Sequence, residues 1–134
     1  MNKQTVYEDD SISVWFYPDE KIVHHKIRKF VYGDSFRTAL TKAADVFLES
    51  GCARYLSDDQ SSSALREEDI AWADENWQPR MVSGGFRFWA MVMPSKVIGQ
   101  IPIKPIIERY KSRGVTVQTF DNTDDAFTWL LAQS

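Results

Sequence analysis

The sequence predicts an α/β fold built on a mixed five-stranded sheet that opens with an antiparallel hairpin and carries four main helices. Three observations lead there. Two apolar runs with strand character lie close together near the start of the chain, apolar residues recur at helical spacing between the later runs, and turn residues stand at most switches from one period to the other. A length of 134 residues suits one domain, spanning 1–134.

The elements follow in order. Ser11 to Tyr17 alternates around Ile12, Val14 and Phe16; Pro18, Asp19 and Glu20 interrupt it, and Ile22 to Tyr32 resumes with β-branched and aromatic residues, so a hairpin is the economical reading. Gly33 and Asp34 turn the chain, with Asp34 or Ser35 as cap of a helix in which Phe36, Leu40, Ala43, Ala44, Phe47 and Leu48 share one face and which Gly51 ends. Ala53 to Ser57 is short enough for a buried strand and leads into the polar run from Asp58 to Ser63, a loop or helix entry. A second helix runs from about Arg66 to Trp77, with acidic residues near its start and Ile70, Ala73 and Trp77 on one side; Pro79 breaks it or begins a new turn.

Gly84 and Gly85 lead into Phe86 to Met93, the best candidate for a central strand, which Pro94 closes. Ser95 can cap a short helical piece, Gly99, Pro102 and Pro105 make the next stretch irregular, and Ile106 to Arg113 forms a better helix. Gly114 introduces the strand Val115 to Phe120. Asp121, Asn122 and Thr123 offer caps for a terminal helix carrying Ala126, Phe127, Leu130 and Leu131. The alternation implies parallel strands joined by right-handed crossovers, added to the initial antiparallel pair.

The chemistry is bounded by composition. Sixteen basic against 19 acidic side chains give a formal charge of −3, without the basic stripe of a nucleic-acid binder, so nucleic acid is not an expected partner. The lone Cys52 has no internal disulfide partner and reads as a small buried residue in a reducing compartment. Neither a signal peptide nor a membrane span is expected, and the expected location is cytoplasmic.

Tyr32, Phe36 and Ala39 at the first helix carry a family pattern together with Leu56-Ser57-Asp58-Asp59, Trp72, Glu75, Trp77, Pro79, Arg80, Val92, Pro94 and Val97. With these residues the whole chain resembles STAS-like domains related to bacterial anti-sigma-factor antagonists, in their SpoIIAA-like branch. The resemblance implies a curved mixed sheet with helices stacked mainly to one side and no separate catalytic domain. It also implies a regulatory serine after the third strand, phosphorylated by a partner kinase in the better understood antagonists. Ser61 and Ser62 are the comparable acceptors, although the Asp-Ser-Ser-Gly-like arrangement of those proteins is absent here.

Among the chemical constellations, Asp58, Asp59, Glu67, Glu68 and Asp69 lack the alternating ligands of a calcium loop, and capping with a solvated acidic face explains them without a metal. His24 and His25 are neighbours on a strand and point to opposite faces. Gly84–Gly85 leads into a strand and is a turn, since a phosphate cradle opens a helix. The aromatic-rich stretch from Trp72 to Met93 belongs mostly to the core, yet Trp77 and Arg80 fall at a helix exit where binding crevices form. These observations favour a non-enzymatic interaction or regulatory domain, with a homodimer preferred over a monomer and no cofactor or metal. Candidate contacts are Trp72, Trp77 and Arg80 with Ser57, Asp58 and Asp59. The alternative is a carrier for a small apolar molecule or lipid, with a cavity bounded by Trp72, Trp77, Phe88 and the stretch from Val97 to Ile107.

Overall fold

Six strands form one sheet in the order in which the chain makes them: β1 (Gln4–Glu8), β2 (Ile12–Tyr17), β3 (Ile22–Ile27), β4 (Arg54–Asp58), β5 (Phe88–Val92) and β6 (Thr116–Phe120). The computed structural model describes residues 1–59, 66–93 and 103–133. β1, β2 and β3 pair antiparallel, and β3 to β6 pair parallel. The helices are α1 (Gly33–Glu49), α2 (Glu67–Trp72), α3 (Gln78–Ser83), α4 (Ile103–Lys111) and α5 (Thr123–Leu131), with a π-helical turn, Ala73–Trp77, joining α2 to α3.

The expected five strands are therefore corrected to six. β1 lies at the sheet edge, and the register shifts between Thr5 and Tyr7, so Val6 and Tyr7 both pack against the core instead of alternating. Its sequence consequently lacks the period of two. The four expected helices also change, because the second is three segments end to end, α2, the π turn and α3, with Pro79 just after the π turn. The expected helical piece at Ser95, together with Pro94, Val97, Ser61 and Ser62, lies outside the described residues.

Strand periodicity divides the interior in two. One face carries Val14, Val23, Tyr55, Met91 and Val117 against α1, the α2–α3 segment and α4. The other carries Tyr17, Ile22, Leu56, Ala90 and Val92 against Ala126 and Leu130 of α5. His24 and His25 obey the same rule: His24 packs on Phe127 of α5, while His25 faces Tyr55 in the larger core. Helices thus crowd mainly one side, with α5 alone among the described helices on the other.

Local chemistry sets the helix ends. Neither Asp34 nor Ser35 caps α1; Ser35 donates to Asp9, and the amide of Gly33 donates instead to Asp69 of α2 at 3.0 Å. The fully buried Asp69 also accepts from Arg37 Nε at 3.2 Å, so one carboxylate ties two helices together. At the other end of α1, Gly51 adopts φ of 66°, and the Cys52 amide reaches the Phe47 carbonyl at 3.0 Å, closing the helix with a left-handed residue as expected. Asn122 caps α5, accepting from the Asp125 amide at 2.8 Å.

Candidate functional site

Parallel register brings His25 of β3, Ser57 of β4 and Met91 of β5 into one row near the carboxyl ends of these strands. Open α/β sheets bind ligands beyond such strand ends. Here the row forms part of the floor of a cavity of about 240 Å³. Phe36 and Leu40 of α1 form one wall. A second wall comes from Ile70, Ala73, Asp74 and Trp77, along α2 and the π turn, and a third from Arg109 and Tyr110 of α4. The more exposed lining residues, Ile70, Asp74 and Arg109, mark the mouth.

The floor is polar at one place. His25 Nδ1 lies 2.6 Å from the Tyr55 hydroxyl, and His25 Nε2 lies 3.4 Å from Asp59 Oδ1. Burial lifts the Tyr55 phenol well above its usual pKa, with the Asp59 charge adding to the effect, so the phenol is neutral. A carboxylate only accepts. One imidazole tautomer satisfies both neighbours, with the proton on Nε2 shared toward Asp59 and Nδ1 accepting from Tyr55. Both ring nitrogens are then engaged, and the hydroxyl that His25 faces belongs to the buried Tyr55. Beside it, the Trp89 indole donates to Ser57 Oγ at 2.8 Å.

The rest of the lining is largely aromatic. Tyr55 and Trp77 meet edge to face with ring centres 5.3 Å apart, and Trp89 and Tyr110 do so at 4.9 Å. Burial pushes the Tyr110 phenol up to about 12, with the Asp74 charge contributing. At the mouth, Arg109 stands 3.7 Å from Asp74 and 5.7 Å from the Tyr110 ring centre.

The residues expected to make contacts divide among three places. Ser57 and Asp59 line the cavity, and Ser57 is buried within β4, in the strand expected there. Asp58 is also part of β4 and is buried, on the face opposite its neighbours. Trp72, Trp77 and Arg80 share a separate shallow groove with Thr41 and Asn76. Trp77, only 6% exposed, donates its indole N–H to the Leu40 carbonyl at 2.9 Å and forms a wall common to groove and cavity, in place of the exposed edge expected. Arg80 pairs with Asp45 at 2.6 Å. The cavity foreseen for a carrier is bounded differently as well: Phe88 packs on Trp129 across the sheet, and Trp72 lines the groove alone.

His25, Tyr55, Asp74, Trp89, Arg109 and Tyr110 were not foreseen as one site. The signal for the His25 cluster was the parallel pairing itself, which sets His25 beside Ser57 across 32 positions of sequence. Burial pushes the Cys52 thiol up to about 11, away from the thiolate a nucleophile needs. Among the described residues no three His, Cys, Asp or Glu side chains are grouped to hold a metal ion, and no helix is long and apolar enough to cross a membrane.

Compared with solved structures, the chain is similar along almost its whole length to an uncharacterized protein of the DUF3478 family with a SpoIIAA-like fold from Shewanella loihica PV-4. The TM-score is 0.60, at 13% identity over 96% of this chain and 92% of that one. The fold is therefore SpoIIAA-like, as the sequence resemblance implied. No family model matches the chain, and no curated protein is significantly similar in sequence.

Proposed function

We propose that this chain is a cytoplasmic, non-catalytic binding domain that takes a small, largely apolar ligand in the cavity beyond β3, β4 and β5. The observation that carries the reading is an apolar, aromatic-lined space of about 240 Å³ with the His25–Asp59 pair and Ser57 converging at its floor. Ligand sites have this composition, many apolar walls with a few placed polar groups, and span roughly 300–1,000 Å³ for drug-sized molecules. A space of this size selects something smaller. The test is a fragment screen by two-dimensional NMR, with the indole signals of Trp77 and Trp89 as reporters. Saturable shifts confined to residues of the cavity are expected; a screen in which no fragment moves those signals refutes the reading.

A second reading, docking of a protein partner or a second copy, is favoured by one feature. Phe30 and Tyr32 are 44% and 53% exposed and stack with ring centres 5.3 Å apart, beside the start of α2, where Arg66 covers the Tyr32 ring. In this reading the chain is a homodimer that Phe30→Ser weakens. Sedimentation of both proteins tests it, and a monomer at all concentrations removes the homodimer.

A further inference from the structure

We infer that the cavity recognises a small organic cation, an alkylammonium group held between aromatic rings and a carboxylate. This rests on the small-molecule reading above and names the chemistry of its ligand.

Charge is the first argument. Among the described residues, Asp59 and Asp74 bring two carboxylates to the lining and Arg109 one guanidinium. Asp74 already has Arg109 at 3.7 Å. Among the described residues, the Asp59 carboxylate has the long 3.4 Å contact to the His25 imidazole, and its side chain is 24% exposed. A carboxylate in this position is incompletely compensated beside an apolar space, and a cation entering the cavity neutralises it. Among the described residues, an anion would meet two carboxylates and an Arg109 already engaged with Asp74.

The walls are the second argument. Tyr55, Trp77, Trp89 and Tyr110 contribute aromatic surface from the sheet floor and from two different helical segments, and Phe36 adds a fifth ring from α1. Rings arranged around a space attract a cation through their negative faces, an effect that grows when water is excluded. The protein already uses this chemistry at the mouth, where the Arg109 guanidinium lies 5.7 Å from the Tyr110 ring centre. A hard metal ion needs six or more oxygens, which these walls do not supply.

The third argument is local backbone. The segment bearing Asp74 and Trp77 is a π-helical turn, the kind of widened turn that recurs at functional sites. It places an acidic and an aromatic residue on one side of the same turn, both lining the cavity.

Three probes of one shape test the inference by NMR titration of the full chain: choline, its neutral isostere 3,3-dimethylbutan-1-ol, and the anion 3,3-dimethylbutanoate. Choline is expected to shift the Trp77 and Trp89 indole signals saturably and to bind at least about tenfold more tightly than the alcohol, the scale of a desolvated cation–π contact. Asp59→Asn should weaken choline about tenfold and leave the alcohol unchanged, which separates loss of charge from damage to the fold. Arg109→Gln should strengthen choline by freeing Asp74. If the alcohol or the carboxylate binds as tightly as choline, the cation assignment is overturned while the small-molecule reading stands. Choline binding that ignores Asp59→Asn overturns it as well. If no probe moves the indoles, the cation assignment falls, and a blank fragment screen then removes the broader reading with it.

Discussion

Replacing Asp69 tests the joint between the cavity wall and the rest of the core. Its carboxylate is fully buried, accepts the Gly33 amide at the start of α1 at 3.0 Å and meets Arg37 Nε at 3.2 Å. It acts as a cap supplied from another helix. Asp69→Ala removes a capping hydrogen bond worth about 1 kcal/mol. It also removes a negative charge near the positive end of α1, about 0.3–1 kcal/mol. The ion pair adds about 0.2–1 kcal/mol after discounting for screening, since the Arg37 side chain is 39% exposed. The expected loss is about 1.5–3 kcal/mol. Asp69→Asn keeps an acceptor and loses only the charge, so it should cost about half as much. Urea unfolding followed by tryptophan fluorescence measures both, and the slope against denaturant should stay that of the parent, because the same surface is exposed. A cycle with Arg37→Met isolates the ion pair. A loss below about 0.5 kcal/mol for Asp69→Ala would refute the capping argument, since that is the scale of an ordinary surface substitution. Equal losses for Ala and Asn would show that charge, not the amide contact, carries the effect.

Other consequences can be checked alongside. Burial, followed by the basic groups of His25, Lys3 and Lys26 nearby, pushes His24 down to about 3, so the unfolded chain binds a proton below pH 6.5 that the folded chain does not. His24 therefore contributes stability that is present above pH 6.5 and drains away toward pH 3, on the order of a few kcal/mol. Hydrogen bonds from Ser35, the Ser11 amide and Tyr7 outweigh burial and hold Asp9 below its usual pKa, so its share is lost only below pH 4. His24→Phe should reduce the fall in urea midpoint between pH 6.5 and 4.5; an unchanged slope would count against the assignment. Asn122→Ala should lower stability by about 1 kcal/mol through loss of the α5 cap, read by thermal unfolding, with no change expected if the Asp125 amide finds water instead. Tyr55→Phe strands the Nδ1 of buried His25 and should cost about 1–3 kcal/mol, and a neutral result would mean that the imidazole turns or takes a water.

What the sequence made legible was periodicity. The strands β2 to β6 and the core faces of α1 and α5 follow from spacing that survives any tertiary context, and Gly51 and Asn122 mark helix ends by local chemistry alone. β1 escaped because its bulge places Val6 and Tyr7 on the core together, which erases the alternation by which edge strands are read. The π turn escaped because one added residue per turn leaves no compositional mark. The site was half legible. Ser57 and Asp59 stand at the end of a predicted strand, but Tyr55 and His25 become partners only after two strands 30 positions apart pair in parallel, and Arg109 meets Asp74 only after α4 packs. Trp77 and Arg80 misled for a physical reason: neighbours three apart on a helix need not share an environment, and here one side chain turns inward to a carbonyl while the other pairs with Asp45.

The sheet order has a consequence for synthesis. Because every strand lies beside the one made just before it, each strand leaving the ribosome finds its docking edge already in place, and no strand has to wait for a later one to fill a gap. A nascent chain of this kind shows at most one unfinished edge at a time, which advances with translation from β3 to β6. Exposed edges are the usual templates for wrong pairing between chains. Growth by one edge keeps that exposure short, and β6 is followed at once by α5, which folds back across β5 and covers apolar surface on that face of the sheet.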